Sequence, residues 1–194
     1  MNKKIIFTTI SMVCILAIYI ITSFFLNKNK PEPEVTYVSA SWDYNYGDVN
    51  EISNASDLIA LIRVSKLISV ERNAGLPFST FEAEVIKPVY GCEAGDKISI
   101  VMTGGKTDKR IVEIIDDPLL VSDQEFLVFT QKNDNGTCTI LGGPAGRLEY
   151  KNGKLNSLQL VNRRVKDNNK SMNIKIENYD ADQLINEIKK IKDK

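Results

Sequence analysis

Histidine is absent from this 194-residue chain. That absence excludes Ser-His-Asp and Cys-His catalytic arrangements, imidazole metal sites and the usual side-chain switch near neutral pH. Tryptophan occurs once and cysteine three times, so no cysteine framework or cysteine-rich metal cluster is on offer. Net charge is lacking as well, with 25 basic residues against 25 acidic ones. Setting aside Lys3 and Lys4 leaves 23 bases against 25 acids, two net negative charges, and so no electrostatic reason to expect nucleic acid. No motif calls for a cofactor or a metal.

What the chain does have begins at once. Residues 5–26 read IIFTTISMVCILAIYIITSFFL without a charge, about 33 Å as a helix and long enough for a ~30 Å hydrocarbon core. A cleaved signal peptide needs small residues soon after the apolar run, and Thr22-Ser23-Phe24-Phe25-Leu26 is too bulky. Val13 before Cys14 argues against a lipoprotein site in the same way. The expectation is an uncleaved single-pass anchor over residues 1–26. Lys3 and Lys4 on one flank balance Lys28 and Lys30 on the other. The short N-terminal flank behaves like that of a signal-anchor, which places the remaining polypeptide outside the cytoplasm.

Residues 27–47 start with NKNKPEPEVTY, a charged, proline-stiffened stalk. Within them Trp42, Tyr44 and Tyr46 alternate, so an extended chain puts three rings on one side. They read either as a stacking surface for a sugar or peptide, or as a latch laid on the domain core. Residues 48–57 predict a short helical turn. From Leu58 to residue 160 the pattern is of short strands: LIALIRVSKLISV, FSTFEAEVI, KISIVM, RIVEII, EFLVFT and the pairs flanking Asn135-Gly136 and Asn152-Gly153, both hairpin-turn signals. No room is left for crossover helices. The fold class is therefore mainly β, a small antiparallel barrel or sandwich. Residues 161–194 form a polar linker holding Arg163, Arg164, Lys166 and Lys170, then an amphipathic helix with a Leu184, Ile185, Ile188, Ile191 stripe.

The segments SDLIALIRVSKLISV, FSTFEAEVIKPVYG, AGDKISIVMTGG, DQEFLVFT and ILGGPAGRLEY together resemble a group of uncharacterised membrane-anchored or secreted proteins of Gram-positive bacteria. More loosely they are similar to the OB-type barrel of metalloproteinase-inhibitor and netrin-like modules. The resemblance covers about half the chain and implies an OB-like barrel. The inhibitors chelate their target's zinc through a free N-terminal cysteine; residues 39–48 hold none, so that mechanism does not carry over.

Candidate chemistry is sparse. Cys92 and Cys138 are the only cysteines beyond the apolar run. They read either as separate thiols or as a disulfide closing a loop of about 46 residues, worth roughly 4 kcal/mol. Gly104-Gly105-Lys106-Thr107 ends like a phosphate-binding loop, but Ile100 stands where the first glycine is needed, so it reads as a polar hairpin. Asp116-Asp117-Pro118 reads as a capped turn. Ser11-Met12 and Ser171-Met172 are misplaced for a Ser-Lys peptidase. The functional expectation is a membrane-tethered, extracytoplasmic, non-catalytic domain that binds an envelope protein or cell-wall polymer. Its candidate ligand surface is Trp42, Tyr44 and Tyr46 with Gly143, Pro144 and Arg147 of the GGPAG loop. The alternatives are a histidine-free envelope hydrolase, using Ser-Lys or carboxylates, and an inhibitor of an extracellular protease.

Overall fold

A computed structural model describes residues 34–40, 44, 46–107, 110–158 and 176–194. The expected anchor, Trp42 and the four basic residues of the linker lie outside the described residues. Among the described residues no helix is long and apolar enough to cross a membrane.

The architecture is mainly β. Strand β1 (Glu34–Val38) and helix α1 (Val49–Ala55) precede a long hairpin, β2 (Leu58–Asn73) and β3 (Leu76–Tyr90). Then come β4 (Lys97–Thr103), β5 (Gly105–Lys106), β6 (Arg110–Ile114), β7 (Glu125–Lys132) and β8 (Cys138–Ile140). A 3-10 turn at Gly143–Gly146 leads into β9 (Arg147–Lys151), β10 (Lys154–Ser157) and β11 (Tyr179–Asp180), and α2 (Ala181–Lys192) ends the body. β1 falls inside the segment expected to be stalk: it pairs in parallel with β6, Glu34 opposite Arg110 through Val38 opposite Ile114. The β-branched and aromatic run Val35, Thr36, Tyr37 and Val38 is compatible with a strand once an edge is offered.

Five strands close into a barrel in the order β2-β3-β4-β8-β7 and back to β2. The pairings are antiparallel except for one: β8 runs parallel to β4, Ile100 opposite Cys138. An all-antiparallel barrel was the expectation. The parallel joint forms without a crossover helix because β5, β6 and β7 intervene between β4 and β8 and supply the length. Register shifts along the β2–β3 ladder, at Ile59/Ala60, Leu61/Ile62, Val64/Lys66 and Leu67/Ser69, bend the hairpin as closure requires.

Alternation sorts the side chains into two cores. Leu58, Ala60, Ile62, Phe81, Ala83, Ile98, Ile100, Phe126, Val128 and Ile140 fill the barrel. On the outer side of the same β2–β7 wall, Ile59, Leu127 and Phe129 pack with Ile52 of α1, Leu148 and Leu155 of β9–β10, and Leu184, Ile185 and Ile188 of α2. This is why the sequence from Leu58 to Ile62 is apolar without interruption: the strand is covered on both faces.

The helices are held at their ends. The Asp48 carboxylate accepts the Glu51 N–H at 2.9 Å and caps α1. The Lys192 ammonium donates to the Ser53 and Ser56 carbonyls at 3.1 Å each, where α1 ends, and lies 3.9 Å from the Tyr90 ring centre. Asp180 accepts the Gln183 N–H at 3.1 Å. The Gln183 side chain turns instead to the Tyr179 hydroxyl and Glu187, so the cap is one-sided and not a reciprocal box.

α2 therefore belongs to the body and is not a detached surface helix. Ile188→Ala, at a fully buried position, should cost about 2–5 kcal/mol in urea unfolding, whereas Lys189→Ala on the exposed face should stay within ~0.5 kcal/mol.

Candidate functional site

β7 explains the GGPAG loop. Two short strands share one of its edges in succession: β9 pairs with Phe126, Leu127 and Val128, and β8 pairs with Thr130, Gln131 and Lys132. The chain must leave one half of that edge and re-enter the other within a few residues. Gly142 and Gly143, at φ of 60° and 56°, and the 3-10 turn make that jog. The Tyr46 ring packs over it, since a Cβ on Gly142 would lie 3.1 Å from Tyr46 Cδ2.

This corrects the expected ligand surface. Gly143 and Pro144 are buried, and Arg147 is 1% exposed. Its Nη2 donates to Asp117 Oδ1 at 2.6 Å and to the Pro118 carbonyl, and its guanidinium sits 5.6 Å from the Phe126 ring centre. Its Nε has no hydrogen-bond partner among the described residues. The loop is internal because β9 carries Arg147 directly opposite Val128 of the barrel wall. Tyr46 is half-buried with the outer core and stands 4.8 Å, centre to centre, from the exposed Tyr44 ring. That arrangement matches the latch reading for Tyr46 and leaves Tyr44, of these two rings, facing solvent. Trp42 lies outside the described residues.

Asp117 was expected merely to cap a turn. Burial pushes its carboxyl up to about 6, against the pull of the neighbouring Arg147 charge and hydrogen bond. The same burial lowers Arg147. Nothing in Asp116-Asp117-Pro118 foretold this, because the partner lies 30 residues away. The ion pair occupies the carboxylate that a shared-proton mechanism needs. A serine and a lysine do meet, at Ser53 and Lys192, but the lysine holds backbone carbonyls and Ser53 is fully buried. Neither grouping supports the hydrolase alternative.

The surface that the fold does leave open is the far half of the β2–β3 hairpin. β7 covers β2 only from Leu58 to Arg63, and the backbone of Val64 is met by Asp123 and Gln124. From Ser65 to Asn73, among the described residues, the ladders give β2 a partner on its β3 side alone. Leu67 and Ile68 there, and Leu76 across the turn, are exposed. Ala74 and Gly75, at φ of 48° and 85°, close the hairpin with a two-residue turn. The GGKT segment buttresses its other side: Gly104 donates its N–H to Pro77 at 2.8 Å, and the Ser79 hydroxyl donates to the Gly104 carbonyl at 2.8 Å. A Cβ on Gly105 would lie 2.6 Å from Ser79 Oγ and 2.8 Å from Val70 Cγ1, so glycine permits the small β1-β6-β5 sheet to touch the hairpin. Phosphate binding needs no place in that account.

Of the two readings of Cys92 and Cys138, the structure has separate thiols, the first half-buried and the second buried. Among the described residues no cluster of three or more metal-ligating side chains occurs.

The ion pair yields a signed pH test. Because the folded value of Asp117, about 6, exceeds the ordinary 3.8, its stabilising contribution is fully present below 3.8 and is lost as pH rises through 6. Removing the guanidinium raises that carboxyl further. Arg147→Met should therefore cost about 3–5 kcal/mol at neutral pH, where it removes an intact ion pair, and distinctly less at about pH 5, where Asp117 is already protonated beside Arg147. Urea unfolding at the two pH values measures the difference.

Comparison with known proteins finds no family model, no curated protein and no solved structure that matches the chain.

Proposed function

We propose that this chain is a membrane-tethered, extracytoplasmic, non-catalytic binding domain, built on an OB-like barrel, whose recognition element is the open edge of the β2–β3 hairpin. Three lines support it. The uncharged run over residues 5–26 suits a single-pass anchor. The barrel order β2-β3-β4-β8-β7, with β4 and β8 parallel, suits an OB-type barrel and the resemblance to netrin-like modules. The observation that carries the binding role is the stretch Ser65–Asn73. Among the described residues no strand ladders onto its outer side, and Leu67 and Ile68 beside it are exposed, as in strand-addition surfaces.

The occupant of this edge is an envelope protein that contributes an extended segment. Main-chain hydrogen bonds supply its affinity, and the apolar residues select its side chains. The edge is guarded against copies of itself: two register shifts break its flatness, and Lys66, Glu71 and Arg72 punctuate it with charge. A polymer ligand stacking on Tyr44 is the second reading, favoured by that ring's exposure beside Tyr46. Protease inhibition is a special case of the first, in which the rigid two-residue turn at Ala74-Gly75 would enter the enzyme.

Photo-crosslinking residues placed at Leu67 and Ile68 on intact cells should capture one envelope protein. The same residue at the exposed Glu149 should not, and added protease should remove the domain from the cell surface. Equal capture from Glu149 would overturn the assignment of the edge. Complete protection from protease would overturn the assignment of the side.

A further inference from the structure

The two thiols of the domain, 46 positions apart in sequence, stand at the same end of the barrel. Cys138 opens β8 and points into the barrel core. Cys92 follows the end of β3 and packs against that same core, with its Sγ 3.7 Å from the Ile59 carbonyl. Cys138 leans on Thr130, whose hydroxyl donates to the carbonyl of Leu58, the neighbour of Ile59, at 3.1 Å. Lys132 joins the two sides. It is the ladder partner of Cys138, and its ammonium donates to the Gly91 carbonyl, beside Cys92, at 3.1 Å. Its backbone N–H is fixed by Asp57 at 3.0 Å.

We propose that Cys92 and Cys138 form a redox site, a dithiol that a disulfide oxidant converts to an intramolecular disulfide, with Lys132 as the positioned cation between them. β8 is three residues long and closes the barrel. The bond therefore fastens the shortest joint of the ring to the turn after β3. The oxidant is a low-molecular-weight or protein disulfide. The more accessible Cys92 thiolate attacks it, forming a mixed disulfide and expelling one thiolate. The Cys138 thiolate then attacks the Cys92 sulfur and expels the second thiolate. Both cysteine protons pass to solvent or to the two released thiols, and two electrons leave the pair.

Charges around the site set its pace. Burial pushes both thiols up; Asp96 adds to this at Cys92 and Asp57 at Cys138, while Lys132 favours the thiolate at both. Since the thiolate is the nucleophile, the first step speeds up about tenfold per pH unit below the Cys92 value.

The inference holds whichever side of the membrane the domain occupies, so its test uses purified full-length chain in detergent. A Cys14→Ala background removes the third thiol. The chain is reduced, desalted, exposed to oxidised glutathione, alkylated and weighed. The expected product lacks two hydrogens, retains no glutathione, and yields a peptide linking Cys92 to Cys138. Cys138→Ser should trap glutathione on Cys92, and Lys132→Met should slow the first step severalfold. At a fixed glutathione ratio, unfolding in urea should lower the linked fraction, because the fold is what brings the sulfurs together. A native chain that stops at the mixed disulfide, keeps both thiols free, or links better in urea than when folded would overturn the proposal.

Discussion

Strands β2 and β7 form a wall that must be dry on both sides. Their ladder, from Leu58 opposite Thr130 to Arg63 opposite Glu125, carries Leu58, Ala60 and Ile62 into the barrel and Ile59, Leu127 and Phe129 outward under the helices. Each large side chain so buried contributes about 1.5–3 kcal/mol. Neither core can form alone, since the barrel without α1, α2 and β9–β10 would expose Ile59, Leu127 and Phe129. The polar tie across the wall's margin, Arg63 to Glu125 at 2.5 Å, is half in solvent and adds little by comparison.

From that double burial the rest follows. Because β7 is shared between barrel and outer layer, its free edge serves β8 in one half and β9 in the other. The chain between those strands is forced through the tight Gly142–Gly146 jog, and the next residue, Arg147, is carried into the interior. Its charge is then matched by Asp117 and by the Pro118 carbonyl. Such a pair is a requirement of this connection more than a source of net stability. At the other end, β7 stops covering β2 at Arg63, and beyond Val64 the hairpin runs on for nine residues of β2 with no described strand on one side. The same geometry thus buries the loop that looked like a ligand site and exposes the edge that did not.

Much of the strand pattern was legible because it is local. The alternation in FSTFEAEVI, the Asn152-Gly153 turn and the Leu184, Ile185, Ile188 stripe each report their own surroundings. They reappear as β3, the β9–β10 turn and the buried face of α2. What stayed illegible depends on distant partners. A glycine-rich loop ending in arginine looks the same whether it meets solvent or Asp117. The stalk-like sequence at Glu34–Val38 is a strand only because β6 offers an edge. The open side of Ser65–Asn73 is a statement about where β7 ends, which no local pattern around β2 contains. Cysteine spacing likewise carries no distance, and only the closure of the ring brings Cys92 and Cys138 to one end.

Amide hydrogen exchange tests the central claim most directly. If the doubly buried wall organises the domain, the amides of Leu58–Ile62 and Phe126–Thr130 exchange last, and β2 from Lys66 to Asn73 shows alternate amides exchanging far sooner. Slow, uniform protection along the whole of β2, or early loss of protection in β7, would contradict the account.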